Sequence, residues 1–138
     1  MRIMAIDYGD ARTGIAVSDI SRTLTGDAWV VHDKRMEQVA ATICNEAASR
    51  DASCIVVGYP KNMDGSIGVR AEKSEQLVEI LRSLCDDNVD IKLWDERMTT
   101  MSAHRVLTDV GKHGKKRKKT VDAVAASLIL ESYLSSIR

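Results

Sequence analysis

Cys54-Ile55-Val56-Val57 is an unbroken apolar run, mostly β-branched, and no other feature limits the fold of this chain so strongly. A run of that length without alternating polar side chains reads as a strand covered on both faces. Such a strand needs a helical layer on each side, and its flanks supply helices. Met36, Val39, Ala40, Ile43, Cys44 and Ala47 recur at helical spacing before it. Val69, Lys73, Leu77, Ile80, Leu81 and Leu84 lie on or beside the inner face of a second helix after it. The spacing predicts a helix over 36–49, a strand over 53–58, and a loop over 59–66 containing the one proline, Pro60.

The rest of the chain fits round this unit. Ile3-Met4-Ala5-Ile6 is an apolar strand that ends at Asp7-Tyr8-Gly9, and Thr13 to Asp19 returns as its antiparallel hairpin partner. Residues 27–32 complete a three-stranded meander, and Ile91-Lys92-Leu93-Trp94 forms a fifth strand before Asp95-Glu96-Arg97. Thr99 or Thr100 can cap a helix running to about Val110. Gly111, Gly114 and the mutual repulsion of Lys115 to Lys119 make 112–119 a poor helix interior, so the last helix is expected to open at Thr120 and run to Ser135. The order βββαβαβαα predicts an α/β domain with a five-stranded mixed sheet flanked by helices, spanning 1–138 as one domain.

Composition excludes several classes of function. Lys and Arg number 20, Asp and Glu 20, so the formal net charge is zero. No global field draws the protein to nucleic acid or membrane, and any polyanion contact comes from local clustering. Three cysteines, Cys44, Cys54 and Cys85, are odd in number and contain no C-x-x-C pair, which argues for reduced thiols in a cytoplasmic protein. No apolar stretch approaches the roughly 20 residues that span a bilayer.

Three acidic positions fall at element ends that this topology can bring together: Asp7 after the first strand, Asp95-Glu96 after the fifth, and Asp122 in the first turn of the last helix. Each alone has an ordinary role, as turn residue, solvated strand exit or N-terminal helix acid. Read with their flanks they say more. The blocks Asp7-Tyr8-Gly9 with Arg12 to Asp19, Val57 to Ser66, Trp94 to Thr100, and Asp122 to Ala126 resemble those of the YqgF/RuvX family over essentially the whole chain. The family comprises Holliday-junction resolvases and nucleases implicated in maturing the 5′ end of 16S ribosomal RNA. Tyr59 is a departure, standing where an aliphatic residue is usual.

The resemblance implies a ribonuclease H-like fold in which Asp7, Glu96 and Asp122 bind two divalent cations and form the catalytic centre. Oxygen donors alone suit Mg²⁺ or Mn²⁺, and two such ions about 4 Å apart serve phosphodiester hydrolysis. Asp95 competes with Glu96, because successive strand residues face opposite sides; the longer Glu96 side chain is the better able to reach back from a strand end. Arg12, Asn62, Arg97 and the run Lys115, Lys116, Arg117, Lys118 and Lys119 are the expected nucleic-acid contacts, each beside a block. Trp94 is expected in the core rather than against a base. His104 and His113 belong to no block and read as surface residues. Expected partners are pre-rRNA or branched DNA and ribosomal precursor particles, bound by a monomer or homodimer, with no membrane. Two other classes compete. An actin- or hexokinase-type ATPase would share the hairpin, but it needs two lobes and this chain has length for one. The nearer alternative is a non-catalytic RNA- or ribosome-associated protein on the same scaffold.

Overall fold

A computed structural model describes residues 1–21, 25–62, 64–99 and 115–137, with backbone alone for 98, 99 and 115–122. Five strands form one sheet: β1 (Arg2–Asp7), β2 (Arg12–Ser18), β3 (Thr25–His32), β4 (Ala52–Tyr59) and β5 (Asp90–Asp95), in the order β3-β2-β1-β4-β5. The hairpin pairings β1–β2 and β2–β3 are antiparallel, whereas β1–β4 and β4–β5 are parallel. The mixed sheet follows from connection length. Short turns return the chain antiparallel, while α1 (Met36–Ser49) and α2 (Val69–Leu84) carry it back to start a parallel strand.

Alternation along the strands splits the core into two layers. Met4, Ile6, Ile15, Val17, Ile55, Val57 and Ile91 face α1 and α2. Ile3, Ala5, Ala16, Cys54 and Val56 face α3 (Lys115–Ser136), meeting Ala126, Ile129, Leu130, Tyr133 and Leu134. β4 is covered on both sides, as its apolar run requires. α1 buries Val39, Ala40, Ile43 and Ala47. α2 buries Ala71, Ser74, Leu77, Val78 and Leu81, whereas Val69 and Leu84, expected on or beside the inner face, are exposed. The small Ala71 and Ser74 set the buried stripe and turn these two outward. Trp94 packs edge-on to Tyr133 and donates its indole N–H to Ser132 Oγ at 3.0 Å, which sets it, partly buried, against the α3 layer of the core.

Two expectations are corrected. The last helix begins at Lys115, not Thr120, so Lys115, Lys116, Arg117, Lys118 and Lys119 belong to α3. Lys and Arg are good helix formers, and repulsion between like charges on a helix costs only a few tenths of a kcal/mol per pair. Cys44 and Cys85 are joined in a disulfide, and Cys54, outside that bridge, is buried. Their 41-residue separation gives no pairing signal in sequence; α1 and α2 packing on one sheet face brings their Cα atoms to 5.4 Å. The helix expected over about 99–110, with His104, falls outside the described residues apart from the 3₁₀ turn Glu96–Thr99, and His113 also lies outside them. Among the described residues, no helix is long and apolar enough to cross a membrane.

Candidate active site

Asp7 closes β1, and its residue parity puts it on the α3 face with Ile3 and Ala5. Its antiparallel partner on β2 is Gly14. On the other side β1 runs beside β4, which continues past the Ile6–Val57 pair into Gly58. Two glycines therefore leave the floor around Asp7 free of side chains. Glu96 uses that room. A Cβ built on Gly58 would come to 2.9 Å from Glu96 Cδ and 3.0 Å from Cγ, so the Glu96 chain lies over the glycine, reaching back from the end of β5 across β4 towards Asp7.

The two carboxyl groups interact directly. Burial, then the charge of Asp7 with which it hydrogen-bonds, push Glu96 up to about 7, and the Arg70 guanidinium pulls it down. A proton shared between converging carboxyls relieves their repulsion. Asp95 behaves differently. It accepts from Arg97 Nη2 at 2.6 Å and from the Arg97 backbone N–H at 3.0 Å, and the guanidinium holds its carboxyl below the usual range. Trp94 packs in the α3 layer, so alternation turns Asp95, the last residue of β5, to the other face, while Glu96, in the 3₁₀ turn that follows, lies on the α3 side, where Gly58 faces both it and Ile129.

The other sequence-derived candidates are spread around this edge. Asn62 is exposed but stitches its own loop, donating from Nδ2 to Ser66 Oγ at 2.9 Å while its backbone N–H donates to Ser66 O. Gly65 completes that turn at φ +87°, where a side chain would be strained. Arg97 is held by Asp95, and Arg12 is half-buried at the start of β2. Asp122 lies in α3, the helix packed on the face that carries Asp7; its side chain and those of Lys115 to Lys119 are outside the description. Among the described residues no three His, Cys, Asp or Glu side chains cluster to hold a metal. The described donors at the edge are Asp7 and Glu96, both oxygen ligands, drawn together at a cost that a bound cation would offset. That chemistry fits a hard divalent ion.

Sequence reasoning assigned no role to Gly58, Lys61 or Arg70, and marked Tyr59 only as a departure from the family pattern. Gly58 carried a usable signal, since a glycine ending a buried strand often marks a close approach. Tyr59 donates its hydroxyl to Glu75, which pushes the phenol up to about 12. Nothing in sequence distinguishes Arg70 from any other cation on a helix surface.

The family model RuvX, Holliday junction resolvase, matches residues 1–136. The chain belongs to the RuvX family. A protein of Halothermothrix orenii named "putative pre-16S rRNA nuclease" is 43% identical to it over 136 residues, covering 98% of this chain and 95% of that protein. One of the same name from Clostridium acetobutylicum is 39% identical over 137 residues, covering 99% and 100%. Among solved structures, Thermus thermophilus RuvC in complex with Holliday junction substrate superposes with a TM-score of 0.65 at 14% identity, covering 99% of this chain and 96% of that one. Fowlpox virus resolvase with Holliday junction DNA gives 0.63 at 11%, covering 99% of each. At such identities the likeness shows the fold, which is ribonuclease H-like. With the RuvX membership it makes this chain one of a family of nucleases acting on nucleic-acid phosphodiester bonds.

Proposed function

We propose that this RuvX protein is a divalent-metal-dependent nuclease for structured nucleic acid, with Asp7, Glu96 and Asp122 holding Mg²⁺ or Mn²⁺. One observation carries the reading: Asp7, at the end of β1, and Glu96, in the turn after β5, converge across Gly58 of the intervening β4, and their carboxyls interact directly. A fold spends free energy on such a pair when the site takes a cation. When bound, the ions supply activation of the attacking water and neutralisation of the leaving oxygen. Asp7 provides the rigid ligand, fixed at the end of a central strand. Glu96 provides the adjustable one, on a 3₁₀ turn with a longer side chain. Asp122, on α3, would be the third ligand. Lys115, Lys116, Arg117, Lys118 and Lys119, seven to three residues before Asp122, would hold substrate phosphates beside the centre, as would Arg12 and, less directly, Asn62 and Arg97.

The names of the relatives favour pre-16S rRNA as substrate, and our reading puts the cut at its 5′ end, in the cytoplasm on ribosomal precursor particles; the resolvase neighbours favour a four-way junction. A resolvase nicks two symmetric strands and so works as a homodimer, whereas RNA trimming is open to a monomer. The test is to incubate purified protein with Mn²⁺ and each labelled substrate, alongside Asp7→Asn. Metal-dependent cutting of either substrate, lost in the variant, is the expected result. Binding without cutting of both would overturn the reading in favour of a non-catalytic binder.

A further inference from the structure

A neutral protein must grip a polyanion with a few well-placed cations, and the structure sorts the cations around the Asp7–Glu96 edge. Arg97 is held by Asp95 at 2.6 Å, and Lys73 by Asp10 at 2.6 Å. Two others have no such anchor. Arg70 is exposed in the first turn of α2 and, among the described residues, makes no ion pair or side-chain hydrogen bond. The turn that carries it abuts the Asn62 loop, since a Cβ on Gly68, the residue before α2, would lie 3.8 Å from the Asn62 side-chain amide. Lys61 lies just beyond β4, two residues after Tyr59, which pairs with Asp95 of β5, and its ammonium stands 5.5 Å from the centroid of the Tyr59 ring. Lys61 opens and Arg70 follows the loop that Asn62 and Ser66 stitch shut, so the stiffness of that loop fixes the spacing of both.

The next part of α2 is hostile to phosphate. Glu72, Glu75 and Glu79, with Gln76, line one shallow hollow on its exposed side, and the Tyr59 hydroxyl ties Glu75 in place. Glu72 shares the first turn with Arg70 but lies about 200° round the helix from it, so a strand lying along the acidic side of α2 would bring its phosphates against three carboxylates, whereas one crossing the first turn on the Arg70 side would not.

We infer that the substrate strand crosses the first turn of α2, its phosphates held by Arg70 and Lys61 and kept off the rest of the helix by Glu72, Glu75 and Glu79. This path rests on the nuclease reading and adds to it the direction of approach, at right angles to the acidic face.

The experiment measures binding of a labelled four-way junction and a labelled pre-16S leader RNA at several salt concentrations, in an Asp7→Asn background that does not cut. Arg70→Ala and Lys61→Ala should each weaken binding several-fold and lower the log–log salt slope by about 0.7 to 0.9, one phosphate contact apiece. Arg70→Lys should restore most of the slope, which a merely structural role would not predict. Glu72→Gln should tighten binding. Arg2→Ala, at the opposite end of β1, controls for net charge and should leave the slope unchanged. The same substitutions are placed in the protein with Asp7 intact to read cleavage. If that parent cuts with Mn²⁺ while Arg70→Ala and Lys61→Ala bind with unaltered affinity and slope, the path is wrong and the nuclease reading stands. A parent that neither binds nor cuts either substrate removes both.

Discussion

Glu96 occupies the space that a side chain on residue 58 would fill: a Cβ on Gly58 would sit 2.9 Å from Glu96 Cδ and 2.7 Å from Ile129 Cδ1. The glycine that ends β4 is thus the condition for a β5 carboxylate to reach Asp7 across the intervening strand.

Gly58→Ala tests this relationship. The added methyl must displace Glu96, Ile129 or both, costing about 1–3 kcal/mol as overpacking and at least tenfold in metal-dependent cleavage. Ile129→Val removes the Cδ1 contact, so the double variant should regain melting temperature in thermal denaturation without regaining activity. Recovery of both would mean that the clash with Glu96 is absorbed.

The raised Glu96 carboxyl gives a stability prediction with a definite sign. Its folded value, about 7, lies above the value of 4.5 for the free side chain, so between those pH values the folded state holds a proton that the unfolded state has released. Its contribution is fully present below about pH 4.5 and is lost as pH rises through 7, by roughly 3 kcal/mol in all. Metal-free protein should lose stability over this window relative to Glu96→Gln. Asp7→Asn should flatten the loss by removing the neighbouring charge, while abolishing cleavage. Mg²⁺ should also flatten it, by taking the place of the proton. Denaturant melts at stepped pH, with and without Mg²⁺, supply the measurement; identical slopes in parent and Glu96→Gln would dismiss the shared proton.

Neighbouring acids should separate cleanly. Glu96→Gln removes a group lying against Asp7 and is expected to lose activity at least a hundredfold. Asp95→Asn loosens Arg97 and the start of the 3₁₀ turn, for under about 1 kcal/mol, since both partners of the pair are partly exposed. Activity should then fall by less than tenfold. Single-turnover rates with Mn²⁺ decide it, and an equal, severe loss would show that the Asp95–Arg97 clasp aligns Glu96.

The Cys44–Cys85 bridge closes 41 residues of chain between α1 and α2. By loop-closure entropy its removal should cost about 4 kcal/mol. Cleavage per folded molecule should be unchanged, because Cys85 caps the end of α2 opposite the turn that carries Arg70. Melting curves with and without reductant, and of Cys44→Ser with Cys85→Ser, test this. Equal melting temperatures would mean that the bridge adds nothing to stability.

Local periodicity was enough to mark out the five strands, α1 and α2, and to require cover on both faces of β4. Cys54 to Val57 demanded cover on both faces, the short turns of the meander required antiparallel pairing, and the helical spacing of α1 left one register for its buried stripe. The sequence also marked Asp7, Asp95-Glu96 and Asp122 as acids at element ends. What it left open depends on which residues meet from distant parts of the chain. Whether Asp95 or Glu96 turns towards Asp7 hangs on the parity of β5 against the sheet, fixed by Trp94 packing on Tyr133 of α3. The disulfide depends on two helices sharing a face. The start of α3 at Lys115 reflects helix propensity outweighing screened repulsion. The vacancy at Gly58 comes from packing β4 and β5 together, since a missing side chain acquires a role only when a neighbour from elsewhere in the chain enters its space.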